Sequence, residues 1–139
     1  MILPDSARDL VTSGKLATCI TLNADGSPQL SAVWVGLEDD STVQMAHIPH
    51  HRKVRNLQRD PRVWLALQGE ERNEIGMQHY LTIRGTATVT AGGTADVLRR
   101  LARIYNGPQA EFPVPADAPP GWVVHIAVER VGGFGPWAQ

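Results

Sequence analysis

The densest group of chemically useful side chains is a basic segment, residues 50–59, which reads His-His-Arg-Lys-Val-Arg-Asn-Leu-Gln-Arg. It holds four of the thirteen lysine and arginine residues of a chain whose formal net charge is -1. A helix is expected over 51–59, ending at Asp60-Pro61 because the residue before proline is driven out of the helical region. Free N–H groups at a helix start attract anions. The segment therefore predicts an anion site, with a solvated basic helix face as the alternative.

Three histidines beside this segment, His47, His50 and His51, raise the question of a metal site, since imidazole is a common metal ligand. Their spacing is not diagnostic and no cysteine pair accompanies them, so we expect no metal and assign them to anion binding. The single cysteine, Cys19, is expected to be a small core residue of a strand. Glycine-rich nucleotide loops and a serine nucleophile elbow are missing from the sequence, which disfavours those enzyme classes.

Alternating apolar residues and turn signals predict a mainly β fold with short helices. Asp25-Gly26 supplies a hairpin turn between the first two strands, and with the third these are expected to form a meander. The strands are expected at residues 16–22, 28–37, 42–47, 62–67, 81–90 and 122–128. Helices are expected at 5–13, at 51–59, and from a Thr94 cap to Gly107. This order favours a single antiparallel Greek-key barrel domain, residues 1–139, over a doubly wound parallel sheet.

Composition restricts the partners. With 139 residues and a pI of about 6.5, the chain has no overall attraction to nucleic acid or to an anionic membrane. No apolar run reaches the roughly 18 residues of a membrane span, and the start MILPDSARDL lacks the pattern of a secretion signal. We therefore expect a soluble, cytoplasmic protein that binds no nucleic acid. Eleven arginines against two lysines hint at a GC-rich genome.

Two stretches carry a family resemblance. Asp25-Gly26-Ser27-Pro28-Gln29-Leu30-Ser31, followed by the run from Lys53 to Val63 (KVRNLQRDPRV), resembles the pattern of the pyridoxamine 5′-phosphate oxidase-like superfamily, and especially its F420-using, actinobacterial branch. The resemblance implies an antiparallel split β-barrel of the FMN-binding type. It also implies a homodimer that holds F420, or alternatively FMN, at the subunit interface.

The resemblance also assigns residues. It implies that Lys53 contacts the cofactor phosphate or acidic tail, and that Gln29 and Ser31 lie along the ring system. Relatives that use F420 often carry arginine where this chain has His51, with Arg52 next to it. Arg55 is left for solvent or an ion pair and Arg59 for solubility. The full set of expected cofactor contacts is Gln29, Ser31, Val33, Ala46, His47, His51, Arg52, Lys53, Asn56, Gln78 and Tyr80.

The activity implied is that of an F420-dependent oxidoreductase, which transfers a hydride between the deazaflavin and a small, conjugated organic substrate. Two alternatives stay open at this point. One is an FMN-dependent enzyme resembling pyridoxamine 5′-phosphate oxidase, and the other is a non-catalytic binder of flavin, deazaflavin or haem. No catalytic acid or base is assigned, although His47, His79 and Tyr80 are candidate proton donors if they face the pocket.

Overall fold

Seven strands and three short helices form the part of the chain, residues 1–138, that the computed structural model describes. In chain order the elements are α1 Asp5–Val11, β1 Ala17–Leu22, β2 Pro28–Val33, β3 Gly36–Asp39, β4 Thr42–His47, α2 Arg52–Arg59, β5 Arg62–Arg72, β6 Gln78–Ala91, α3 Thr94–Tyr105 and β7 Trp122–Phe134. All strands belong to one antiparallel sheet of order β2-β1-β5-β6-β7-β4-β3. The predicted antiparallel, mainly β fold is confirmed.

The sheet curves around one apolar core. Alternation along each strand places one set of side chains inside, and these form a single buried cluster that includes Cys19, Met45, Leu65, Ile83 and Ile126 from five strands. β1 and β4 are four places apart in the strand order, so both reach one cluster only if the sheet curls. The result is the expected split barrel, with β1–β5 and β4–β7 as neighbours distant in sequence.

The predicted meander is wrong, because the stretch 28–37 is two strands instead of one. β2 pairs with β1, whereas β3 pairs with β4 at the other edge of the sheet. The break lies at Trp34 and Val35. Trp34 stacks on Tyr105 with ring centroids 5.1 Å apart, and the Val35 N–H donates to the Tyr105 hydroxyl at 2.9 Å. Tyr105, the last residue of α3, thus holds Trp34 and Val35 at the point where a single continuous strand was expected.

Three strands are longer than the sequence predicts. β5 reaches Arg72, β6 begins at Gln78 and β7 reaches Phe134, so β6 and β7 pair as far as Tyr80 opposite Phe134. The sequence does not indicate the extension of β7, because Gly132 and Gly133 lie in it and glycine is a weak strand former. Gly133 is required by its neighbour: a Cβ there would lie 2.3 Å from the Tyr80 carbonyl oxygen.

The helix boundaries differ from expectation by one or two residues at several ends, including the start of α2 at Arg52 and the end of α3 at Tyr105. α1 ends at Val11, and α3 is preceded by Gly93, which has φ 71° and takes the N-cap position predicted for Thr94. The Thr94 hydroxyl is buried without a hydrogen-bond partner in the described chain. α3 covers a small second core that contains Ala46, Leu98 and Val123. None of the helices within residues 1–138 is long and apolar enough to cross a membrane.

Candidate functional site

Helix α2 is fixed to the inner side of β1 by one buried amide. Asn56, 3% exposed, donates from Nδ2 to Thr21 Oγ1 at 3.1 Å and to Asn23 Oδ1 at 3.0 Å. Val54 and Leu57 are buried on the same side of the helix. Because residues three apart share a helix face, Lys53 is directed inward together with Asn56.

Lys53 is the half-buried cation of the site. Burial lowers the pKa of its ammonium group, and no carboxylate of residues 1–138 lies within 4.0 Å of it. Cys19 is near enough to interact with it electrostatically, but burial raises the pKa of that thiol to about 11, despite the opposing effect of Lys53. A thiol with that pKa is neutral at pH 7, so it does not balance the charge. An anion bound here would relieve the cost of burying Lys53.

The facing wall of the site is the inner side of β2. Gln29 and Ser31 alternate toward the interior, paired with Thr21 and Cys19 of β1. The Ser31 hydroxyl oxygen is buried and has no hydrogen-bond partner among the described residues. Val33, the next inward residue, is 4% exposed and belongs to the core. A buried hydroxyl without a partner is costly, so Ser31 is available for a polar ligand atom.

His47 closes the site at the end of β4. Its Nε2 is a second buried polar atom without a partner in the described chain, and its ring lies 5.8 Å from that of His51 in a T-shaped arrangement. Burial, together with the charge of Lys53 and the ring of His51, lowers the pKa of His47 to about 3. The imidazole is therefore neutral at pH 7, so it does not carry the second ring proton that an imidazolium ion could donate.

Two arginines on the outer side of α2, Arg55 and Arg59, form hydrogen bonds within the fold that the sequence did not predict. Arg59 donates to the Leu22 carbonyl and, at 3.4 Å, to Asn56 Oδ1, so its predicted role in solubility alone is wrong. Arg55 donates to the His50 carbonyl at 2.6 Å. An open depression of about 480 Å³ lies outside the helix, lined by Asn23, Ala24, Asp25, Arg52, Arg55, Asn56 and Arg59.

Three of the expected contacts lie away from Lys53. The Ala46 side chain packs under α3 in the second core, so only its main chain faces the interior. Gln78 and Tyr80 belong to β6, where the inward residues are Leu81 and Ile83, and Tyr80 is exposed on the outer face. In this chain, these two side chains and Lys53 are on opposite faces of the sheet.

Thr21 and Asn23 were not predicted as site residues, although both bind Asn56. A signal existed for Thr21: Ala17, Cys19 and Thr21 alternate inward on β1, and Thr21 is the polar member of a row that is otherwise apolar. A buried threonine in such a row requires a hydrogen-bond partner. Asn23 lies in the hairpin turn, where the sequence pattern explains it without reference to a site.

The outer face of the sheet is unusually apolar. Leu30, Ile20 and Trp64 are cross-strand neighbours there, and Leu30 is 57% exposed. Leu16 and Tyr80 add further exposed apolar surface, at 59% and 47%. Exposed apolar side chains that lie together on one face of a folded domain can mark a contact with another molecule.

The family model described as pyridoxamine 5′-phosphate oxidase matches residues 3–134. The chain belongs to the pyridoxamine 5′-phosphate oxidase family. This confirms the resemblance carried by the stretches 25–31 and 53–63. No curated protein matches the sequence.

Solved structures show the same fold. An F420 reductase superposes with a TM-score of 0.74 at 22% identity, over 94% of this chain and 98% of that one. HupZ of Group A Streptococcus gives 0.70 at 19% identity, over 99% and 98% of the two chains. A conserved hypothetical protein of Mycobacterium tuberculosis gives 0.69 at 22%, over 96% and 86%. At these identities the likeness establishes the fold alone.

The depressed pKa of His47 makes stability depend on pH. The unfolded imidazole takes up a proton as the pH falls below 6.5, whereas the folded one stays neutral down to about pH 3. The free energy of unfolding should therefore decrease across this range, by up to about 1.4 kcal/mol per pH unit. His47→Gln should flatten this part of the profile. Urea unfolding of both proteins between pH 7 and roughly pH 4 measures the difference, and parallel profiles would contradict the assignment.

Proposed function

We propose that this protein is an F420-dependent oxidoreductase, which transfers a hydride between the deazaflavin and a small, conjugated organic substrate. The observation that carries the proposal is the half-buried Lys53, which has no carboxylate partner in the described chain and lies in a region with two buried unpartnered atoms, Ser31 Oγ and His47 Nε2. A cationic group and polar atoms that lack partners suit a ligand with both a phosphate and a polar ring system.

The residues fit such a cofactor. Lys53 is suited to the phosphate. The first hydrogen bond of α2 runs from the Val54 N–H to the His51 carbonyl, so the N–H groups of Arg52 and Lys53, which come before it, can also donate to a phosphate. Gln29 and Ser31 are suited to the polar edge of the ring, and His47 to a hydrogen bond from a neutral imidazole. The cofactor, when bound, supplies the hydride chemistry. The protein's part is to bind and orient it and to exclude water.

Two observations support F420 over FMN. The signature Arg55-Asn56-Leu57 followed by Arg59-Asp60-Pro61-Arg62 resembles the F420-using branch. The acidic tail of F420 would also find positive charge just outside the site, because Arg52 is exposed at the start of α2 and lines the open depression. FMN has no acidic tail, so it would leave this surface unused.

The proposal includes a homodimer formed through the outer face of the sheet. Leu16, Leu30 and Tyr80 are exposed there, and a second copy would cover them. Gln78 and Tyr80 lie on this same face, so in the dimer they would line the subunit interface. The resemblance implies a cofactor at that interface, and the proposal therefore includes residues of both chains in the cofactor site.

Cofactor choice is tested by titration of the purified protein with F420, FMN and haem, followed by Trp fluorescence. F420 should bind more tightly than the other two. The bound, reduced F420 should then be reoxidised when an α,β-unsaturated ketone is added. Stoichiometric FMN in the purified protein without F420 binding would identify an FMN enzyme instead. Tight binding without reoxidation for a panel of such ketones would favour a carrier.

Replacement of Lys53 by alanine should weaken F420 binding. A charge-assisted hydrogen bond contributes about 1.5–3 kcal/mol, which corresponds to a loss of roughly ten- to a hundredfold in affinity. The matched control is Arg103→Ala, which removes an exposed cation from α3 and should change the dissociation constant little. If Lys53→Ala retains wild-type affinity and a native circular dichroism spectrum, the anion site lies elsewhere.

The dimer is tested by a charge on the outer face. Leu30→Glu costs little in a free subunit because Leu30 is 57% exposed, but it would place a carboxylate in the apolar centre of the interface. Analytical ultracentrifugation at micromolar concentration should show a dimer for the wild type and for Arg103→Glu, and a 15.2 kDa monomer for Leu30→Glu. A wild type that sediments as a monomer would overturn this part of the proposal.

A further inference from the structure

A hydrogen-bonded row of side chains crosses the sheet on the face that carries α3, away from Lys53. Glu38 Oε1 lies 2.8 Å from Nδ1 of His125, and Nε2 of the same ring lies 2.9 Å from Thr90 Oγ1. One imidazole thus connects a carboxylate on one side with a hydroxyl group on the other. None of these residues belongs to the proposed cofactor site.

The partners determine which nitrogen of His125 carries the proton. An ionised carboxylate only accepts hydrogen bonds, so the ring donates to Glu38 from Nδ1. When the ring carries only that one proton, Nε2 has a lone pair and accepts from the Thr90 hydroxyl. Thr90 is therefore bound to a base that is already oriented to take its proton. A nucleophile, a base and a group that orients the base, all within hydrogen-bond reach, form the arrangement used in nucleophilic catalysis.

Further contacts hold Glu38 and His125 in place. Gln44, 7% exposed, donates to Glu38 Oε1 at 3.2 Å and is the direct cross-strand neighbour of His125. Arg100 of α3 donates to the Gln44 side-chain oxygen and, at 3.1 Å, to the Leu37 carbonyl. The amide of Gln44 is consequently fixed at both ends. Such support limits the motion of Glu38 and His125 relative to Thr90.

The main chain beside Thr90 offers donors for a developing negative charge. β5 pairs with β6 only as far as Thr86, and the Ala87 N–H donates to the Pro61 carbonyl on that side. N–H directions alternate along a strand, so those of Val89 and Ala91 point to the same side. Within the described chain no strand pairs with β6 there, and Thr90 and Ala91 are both exposed. The Thr90 hydroxyl and the Ala91 main chain are therefore both on an exposed part of the strand, where a developing negative charge could accept from a main-chain N–H.

We propose that Thr90 is the nucleophile of a second activity of this protein, the hydrolysis of small activated esters. Thr90 Oγ forms a bond to the acyl carbon while its proton moves to His125 Nε2, and the bond from that carbon to the leaving oxygen breaks. The leaving group departs as an alcohol with that proton; an acidic phenol departs as the phenolate, and His125 then releases the proton to solvent. In the second step water gives a proton to His125 Nε2 and attacks the acyl carbon, the bond from that carbon to Thr90 Oγ breaks, and Oγ takes the proton back from His125 as the carboxylic acid leaves. Glu38 is a positioning residue that holds the ring.

The test is the hydrolysis of p-nitrophenyl acetate by the full chain, with release of p-nitrophenol followed over time. Thr90→Val removes the hydroxyl at constant shape and should reduce the rate to that of the buffer, whereas Thr90→Ser should retain activity. His125→Gln should lower the rate at least about a hundredfold, the usual contribution of a general base. Thr88→Val is the matched control, because Thr88 is an exposed threonine two residues away on the same face, and its rate should equal that of the wild type.

Two further measurements distinguish catalysis by the row from a purely structural role. Glu38→Gln should slow acylation, and peptide mapping by mass spectrometry after brief exposure to the ester should find an acetyl group on Thr90. Hydrolysis no faster than buffer by the wild type would overturn the proposal, and so would acetylation of lysine or histidine alone. Variants that lose thermal stability but keep the wild-type rate would show that the row only holds β3 to the sheet. F420 binding should be the same in all of these variants, so the result is independent of the proposed cofactor.

Discussion

The two hydrogen bonds of the Asn56 amide, to Thr21 and to Asn23, set the rotation of α2 about its own axis. The helix has only eight residues, and its apolar anchors are Val54 and Leu57, which alone would permit some rotation. A buried amide with two fixed partners does not, because breaking either bond leaves a polar group unsatisfied. Arg59 adds to this constraint through Asn56 Oδ1 and the Leu22 carbonyl. Lys53 is directed inward as a consequence.

The two faces of the sheet carry different chemistry. Inside, next to the apolar core, β1, β2, β4 and α2 carry a cation and two polar atoms that have no hydrogen-bond partner among residues 1–138. Outside, the same β1 and β2 expose leucine and isoleucine side chains in place of charges. This division follows from the alternation of each strand, since Ser31 points in while Leu30 next to it points out. One short hairpin thereby provides part of the candidate site and part of the proposed subunit interface.

The sequence predicted the parts that depend on local pattern. The strand alternation, the Asp25-Gly26 turn and the stop at Asp60-Pro61 all act within a few residues, and the corresponding elements are present. Helix geometry also indicated that Lys53 and Arg55 point in different directions, and the family resemblance selected Lys53 as the residue that faces the site. What failed depends on distant contacts: the break at Trp34 is caused by Tyr105, about 70 residues later, and the extra length of β6 requires Gly133 opposite Tyr80. The site residue Thr21 was missed because its partner comes from α2.

The link between β2 and β3 determines the shape of the barrel through covalent reach. These strands form the two edges of the sheet, and only Trp34 and Val35 separate them. Seven flat strands would put the edges about 29 Å apart, at roughly 4.8 Å per spacing, whereas the three steps from Val33 to Gly36 extend to about 11 Å at most. A flat sheet with this connectivity is therefore impossible. The chain acts as a covalent tether whose length enforces closure, so several glycines inserted between Val33 and Trp34 would remove that constraint on the two edge strands.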